Sequence, residues 1–181
     1  RGSSPKPDQI MLSVKGDAAH SMTVRWRTDT TVESGYALYR AEGTAEWSRA
    51  DALKHPFETD MDESHFFFAD MTGLCADTRY EYTCGDDAER SEIYSFKTTK
   101  ENATEFSFLC MSDVQSGDAE PPADYSVLNG ILKNFLAEHP ECDFILTAGD
   151  NTNCGQTDIQ WTGLFEGLKG IMEYMPVMFN M

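Results

Sequence analysis

Phe106-Ser107-Phe108-Leu109-Cys110-Met111-Ser112-Asp113 is a short apolar run that closes on an acid. Its length and lack of helical period predict a buried parallel strand. Pro121-Pro122 follows, then a helix with Asp124 as its expected cap. Leu128, Ile131, Leu132, Phe135 and Leu136 recur on one face of that helix, and Pro140 stops it. Phe144-Ile145-Leu146-Thr147-Ala148 is a second buried strand, closing on Gly149-Asp150. Thr157-Asp158-Ile159-Gln160 has the form of a capping box opening a second helix. Trp161, Leu164, Phe165 and Leu168 are the buried stripe of that helix, with Trp161 and Phe165 expected in the core. Pro176-Val177-Met178-Phe179 begins a third strand. The order β-α-β-α-β predicts a parallel sheet with right-handed crossovers. Cys110, inside the first run, is expected to be a buried free thiol.

Upstream of this region the period changes to that of an all-β unit. Gln9 to Val14, Met22 to Arg27, Tyr36 to Tyr39, Ala45 to Trp47, His65 to Ala69, Arg79 to Thr83 and Ile93 to Lys97 read as seven short strands. Met22, Val24 and Trp26 alternate onto one face. Lys15-Gly16-Asp17, Thr28 to Ser34, Asp60-Met61-Asp62 and Gly85-Asp86-Asp87 supply turns. This spacing predicts a β-sandwich. Leu74-Cys75-Ala76-Asp77-Thr78-Arg79-Tyr80 sharpens it, with Leu, Thr and Tyr at intervals of four and two. The pattern resembles the tyrosine corner of fibronectin type III domains, with Ala76 in place of the usual Pro. Trp26 and Tyr80 are then expected to be buried, with the Tyr80 hydroxyl bonded to backbone between Leu74 and Asp77. One face of Phe66-Phe67-Phe68 is expected to pack on the following unit. The resulting division is an unstructured stretch at 1–7, a fibronectin type III-like sandwich at 8–99, a linker at 100–104 and an α/β unit at 105–181.

The 181 residues carry a formal charge of -17. From Glu105 onward there are twelve acids and only two bases, Lys133 and Lys169. Such a surface repels phosphate backbones, which argues against nucleic-acid partners. A phosphate-processing site there needs an outside source of positive charge, and metal ions are the obvious one. No apolar stretch approaches the ~20 residues of a membrane span. No charged-then-apolar leader opens the chain at Arg1-Gly2-Ser3-Ser4. Five cysteines without a CxxC pair disfavour a zinc ribbon or a disulfide framework, while leaving room for one bridge.

Two acids carry the candidate chemistry. Asp113 follows the first α/β strand, in Met111-Ser112-Asp113-Val114-Gln115. Asp150 follows the second, in Ala148-Gly149-Asp150-Asn151-Thr152-Asn153. Singly, each reads equally well as a turn former. As a pair closing successive parallel strands, they fall on the carboxyl edge, where open α/β sheets bind ligands. Two carboxylates there can share or bridge hard cations. The histidines do not join them. His20, His55 and His65 lie in the sandwich, and His139 ends a helix, where its charge favours the dipole. Ser112 and Ser116 have no His partner for a nucleophilic triad. Gly163, Gly167 and Gly170 are too widely spaced for a phosphate cradle and are expected to loosen their helix.

The Asp motif, the Gly-Asp motif and the sandwich before them together resemble purple acid phosphatases and related metallophosphoesterases. The resemblance implies a fibronectin type III-like domain followed by the start of a calcineurin-like α/β fold. It implies that Asp113 binds the first of two metal ions and that Asp150 bridges both. The side-chain carbonyls of Gln115 and Asn153 are further metal donors in this reading. Two departures stand out. Asn153 occupies the place of the Tyr whose charge transfer colours the purple enzymes. Gln115 occupies the place of a ligating His, which opens the metal to iron, zinc or manganese. The family's Gly-Asn-His and two later His motifs are expected beyond Met181, so that these residues alone lack the catalytic histidines and are inactive. The intact protein is expected to hydrolyse phosphate esters, its substrate a phosphorylated small molecule or a phosphoprotein, outside the cytoplasm. The alternative is a fibronectin-like binding or adhesion module joined to a degenerate phosphoesterase scaffold.

Overall fold

Met22, Val24 and Trp26 do share one face, and that face is the centre of the molecule's first core. In the computed structural model, which describes residues 2–116 and 124–180, all three are buried, with Trp26 and Phe67 stacked at 5.5 Å. Eight strands build this half: β1 (Asp8–Ser13), β2 (Ser21–Asp29), β3 (Tyr36–Ala41), β4 (Ser48–Asp51), β5 (Leu53–Glu58), β6 (Glu63–Thr72), β7 (Arg79–Gly85) and β8 (Tyr94–Lys97). They form two four-stranded antiparallel sheets, ordered β1-β2-β6-β5 and β4-β3-β7-β8. Their inner faces meet in one cluster that includes Leu12, Val24, Trp26, Phe67, Tyr80, Tyr82 and Phe96. Among the described residues, no helix falls within 20–99.

The strand count departs from the seven expected. Ala45 to Trp47 is irregular, and the strand starts at Ser48 instead. Trp47 does not enter the core; the Arg40 guanidinium lies 4.4 Å from its ring. β5 went unread because Leu53–Glu58 contains Pro56 and its exposed apolar residues break the alternation. It is an edge strand, where a proline costs no ladder hydrogen bond. The Thr28 to Ser34 turn is shorter than expected, since β2 runs on to Asp29. Ser3 N and Oγ donate to Asp62 at 2.6 and 2.7 Å, and Ser4 O accepts from Asp29 N at 2.9 Å.

The tyrosine corner forms. Tyr80 is buried, and its hydroxyl accepts from Cys75 N at 2.8 Å. Thr98 completes it, donating to Cys75 O at 2.7 Å and accepting from Thr78 N at 2.9 Å.

The second half is a three-stranded parallel sheet, β9 (Ser107–Met111), β10 (Cys142–Ala148) and β11 (Val177–Asn180), in the order β11-β10-β9. Helix α1 (Ser126–Glu138) joins β9 to β10, and α2 (Asp158–Gly167) joins β10 to β11. Both helices cover the same core, with Leu132, Ile145, Leu164, Leu168 and Val177 at its centre. Ile131 lies outside it, 60% exposed. Asp124 is not the cap of α1: Tyr125 holds that position without a side-chain cap bond, and the Asp124 carboxylate, one residue earlier, accepts from Ser126 N at 2.8 Å. Pro121-Pro122 lies outside the described residues. The capping box does not form, because Thr157 makes no side-chain cap and Gln160 Oε1 instead accepts from Cys154 N at 2.8 Å.

Cys110 is exposed, contrary to expectation. The helices cover only one face of the sheet, so alternate residues of β9 point away from the core. Phe108 and Phe144 stack at 5.0 Å on that other face. All five cysteines are free thiols. Gly167 holds a close approach instead of loosening α2. A Cβ there would sit 2.2 Å from Tyr125 Cβ.

Candidate metal centre at the carboxyl edge of the parallel sheet

Met111 and Thr147 are register partners, so β9 and β10 end together. The loops that leave them carry Asp113 and Asp150. The two loops are tied through backbone: Asp113 N donates to Gly149 O at 3.4 Å, and Gln115 N donates to Asp150 O at 3.1 Å. Both acids are exposed and both adopt left-handed backbone, with φ of 54° at Asp113 and 47° at Asp150. Asp tolerates this region better than most residues, yet it remains a strained choice. Gln9, Asp77 and Asn102 share that backbone, and the two acids differ from them in lying at adjacent strand ends.

Buried polar groups stand behind the acids. Tyr125, at the start of α1, is buried, and its hydroxyl donates to Asn151 O at 3.0 Å while accepting from Ser116 N at 3.4 Å. It thereby fastens the loop after β9 to the loop after β10. Burial raises its phenol pKa, so it remains a neutral donor at physiological pH. Asn151 is buried and donates through Nδ2 to Asn180 O at 3.0 Å, which brings the end of β11 into the same assembly. Gln115 Oε1 and Asn151 Oδ1 are buried without a hydrogen-bond partner. An unpartnered buried carbonyl oxygen is costly and calls for an explanation.

Asp113 and Asp150 are thus brought to one edge, and Gln115 belongs to the same pair of loops. Asn153, three residues after Asp150, is exposed. Asn151 was missed in the sequence, where it reads as an ordinary turn residue after Gly-Asp. Its burial comes from contacts with Tyr125 and Asn180, which no local pattern shows. His139 caps α1 and meets Glu141 at 3.1 Å, and His65 is buried in the sandwich against Val32 O at 2.8 Å. His20 bridges Asp17 and Glu101 at 2.7 and 3.0 Å. Among the described residues, no group of three or more His, Cys, Asp or Glu side chains gathers at metal-binding distance. The side-chain donors carried by these two loops are oxygens: the carboxylates of Asp113 and Asp150 and the unpartnered amide carbonyls of Gln115 and Asn151. Such a set fits a hard cation, with water completing its shell.

The architecture defines a β-sandwich joined to an α/β layer whose strand ends carry paired acids. The family model of the purple acid phosphatase N-terminal domain matches residues 7–98, and the chain belongs to this family. Purple acid phosphatase PPD1 from yellow lupin (Lupinus luteus) seeds superposes with a TM-score of 0.77 at 15% identity, over 97% of this chain and 35% of that one. The structure of PhoD superposes with a TM-score of 0.60 at 12% identity, over 99% of this chain and 40% of that one. At these identities the likeness is one of fold, and it extends through the α/β layer as well as the sandwich. The chain spans well under half the length of either structure. No curated protein sequence matches it. Among the described residues, no helix is long and apolar enough to cross a membrane.

Proposed function

We propose that the protein carrying this chain hydrolyses phosphate esters with the help of metal ions, and that Asp113 and Asp150 are two of the metal ligands. The observation that carries this reading is the coupled, left-handed pair of acids on the carboxyl edge, with Gln115 N bonded to Asp150 O at 3.1 Å. Metal ions held there supply Lewis acidity toward a phosphoryl oxygen and the positive charge that this acidic surface lacks. The chain's own residues have distinct tasks. Asp113 and Asp150 provide the charged donors, with Asp150 as the bridging one. Gln115 offers a neutral carbonyl oxygen, and Asn153 is a further outer donor. Tyr125 positions both loops through Asn151 O and Ser116 N. The substrate class is a phosphomonoester of a small molecule or of a protein.

The test has two arms. Asp150→Asn suits both, because Asn also tolerates left-handed backbone and the turn is kept. In the full-length protein it is expected to abolish turnover of an aryl phosphate and to lower bound metal together. In the 181-residue chain, Mn²⁺ is expected to broaden the amide signals of Gln115 and Asn151, and Asp150→Asn to remove that broadening. Wild-type turnover with full metal content in the variant sinks the bridging role.

A further inference from the structure

A cavity of about 920 Å³ lies between the two halves, and neither Asp113 nor Asp150 lines it. Its size is that of small-molecule sites, which are commonly about 300–1,000 Å³. Besides the His55 imidazole, six apolar aromatic side chains line it: Phe57, Phe66, Phe68, Trp161, Phe165 and Phe179. The first three come from β5 and β6, the others from α2 and β11.

Lys15, Glu58, Asp70 and Asp158 bring charge to the rim, and Arg25 brings the guanidinium that lies among the rings. Its guanidinium carbon lies 4.6 Å from the Phe66 centroid and 4.8 Å from that of Phe165, so it bridges the halves through two rings. Its neighbours satisfy it poorly. Nη2 reaches Gln9 O at 3.4 Å, and Nε is buried with no partner. Burial, then the Arg27 charge, push its pKa down to about 10, still far above neutrality, so it stays charged. The other cations nearby are spoken for: Arg27 is held by Asp8 at 2.9 Å, and Lys15 by Asp70 at 2.9 Å. Among the described residues, no carboxylate forms an ion pair with Arg25. A buried, unpaired guanidinium is costly, and planar oxygen pairs are its best partners.

We propose that this cavity binds a small, flat aromatic anion of the aryl carboxylate or aryl sulfonate kind. The anionic oxygens meet the Arg25 edge, and the ring system lies among the phenylalanines and Trp161. The site is separate from the acids at Asp113 and Asp150, and its existence does not depend on their role.

The test uses the 181-residue chain and 8-anilinonaphthalene-1-sulfonate, with neutral N-phenyl-1-naphthylamine as its uncharged counterpart. One equivalent of the sulfonate is expected to bind, quench Trp161 and shift the Nε–H resonance of Arg25 in nitrogen-resolved spectra. Arg25→Met, which keeps an unbranched stem, is expected to weaken the sulfonate about tenfold, the worth of one charge-assisted hydrogen bond, and to leave the neutral amine within about twofold. The uncovered sheet face around Phe108 and Phe144 is the competing apolar surface. Phe108→Glu is expected to leave sulfonate binding unchanged. The proposal is overturned if the sulfonate does not bind, if Phe108→Glu removes its binding, or if both dyes lose affinity equally in Arg25→Met. Should that variant not fold, an unmoved Arg25 Nε–H in the wild-type titration overturns it alone.

Discussion

Single side chains here decide how much each half can tolerate. Tyr80 closes its corner by one bond, from Cys75 N, with the ring stacked 5.7 Å from Phe96. Tyr80→Phe keeps the ring and removes the acceptor, so its expected cost is about 1–2 kcal/mol. Urea unfolding checks this, and a change within error would mean that water serves Cys75 N equally well. Glu173 is a different case, a buried carboxyl whose pKa is raised by desolvation. The unfolded chain ionises it in the ordinary carboxylate range, while the folded chain does so only at higher pH. In the window between, the folded state binds more protons, so stability falls as pH rises. Glu173→Gln keeps an oxygen for Gly170 N, which Glu173 Oε2 now accepts at 2.7 Å. The variant is expected to be more stable than wild type at pH 7. That gain should fade below about pH 4, where Glu is neutral in both states. Melting temperatures across pH decide it, and a gain independent of pH would place the effect elsewhere.

At the scale of elements, the sequence was most legible where period and burial agree. β2 sets Met22, Val24 and Trp26 on a single core and was read over Met22 to Arg27, short of its end at Asp29. The parallel strands were read from short apolar runs, and their acids from strand ends. The failures have local causes. β5 hides because an exposed edge strand with Pro56 has no alternating burial to show. The capping box failed because Gln160 found a better acceptor role toward Cys154 N. Gly167 looked like a weak point of α2 because a glycine's reason for being there lies on another element. That reason predicts a result. Any Cβ at 167 collides with Tyr125, the residue that fastens both acid-bearing loops. Gly167→Ala is expected to cost about 1–3 kcal/mol through overpacking. The same push on Tyr125 should speed hydrogen exchange at Gln115 and Asn151, with the sandwich amides unaffected. Unchanged exchange in those loops would mean that Tyr125 does not position them.

Across the whole molecule, the two halves are joined by contacts that no sequence period encodes. The expectation that Phe66 to Phe68 faces the second half was right in direction, but Arg25 makes the link and its own pattern is that of a solvated strand residue. The segment after α2 is the main anchor. Leu12 N, on the β1 sheet, donates to Met172 O at 2.9 Å. The Tyr82 hydroxyl, on the β7 sheet, donates to the next carbonyl, Glu173 O, at 2.7 Å. Adjacent carbonyls are thus hooked to both sheets of the sandwich. Asp158 N adds a bond to Asp60 Oδ1 at 2.8 Å, and Tyr94 meets Tyr174 edge-on at 5.5 Å. Tyr82 is wholly buried, so its hydroxyl has no water to fall back on. Tyr82→Phe leaves Glu173 O without a donor in a buried seam, at an expected cost of about 1–3 kcal/mol. The loss should not be shared evenly. Val24 and Trp26 sit in a core closed by two sheets, while Ile145 and Val177 depend on this seam to hold their layer in place. In the variant, amide exchange is therefore expected to rise more at Ile145 and Val177 than at Val24 and Trp26. An equal rise at all four would mean that the seam carries no separate opening of the α/β layer, and that the two halves unfold only together.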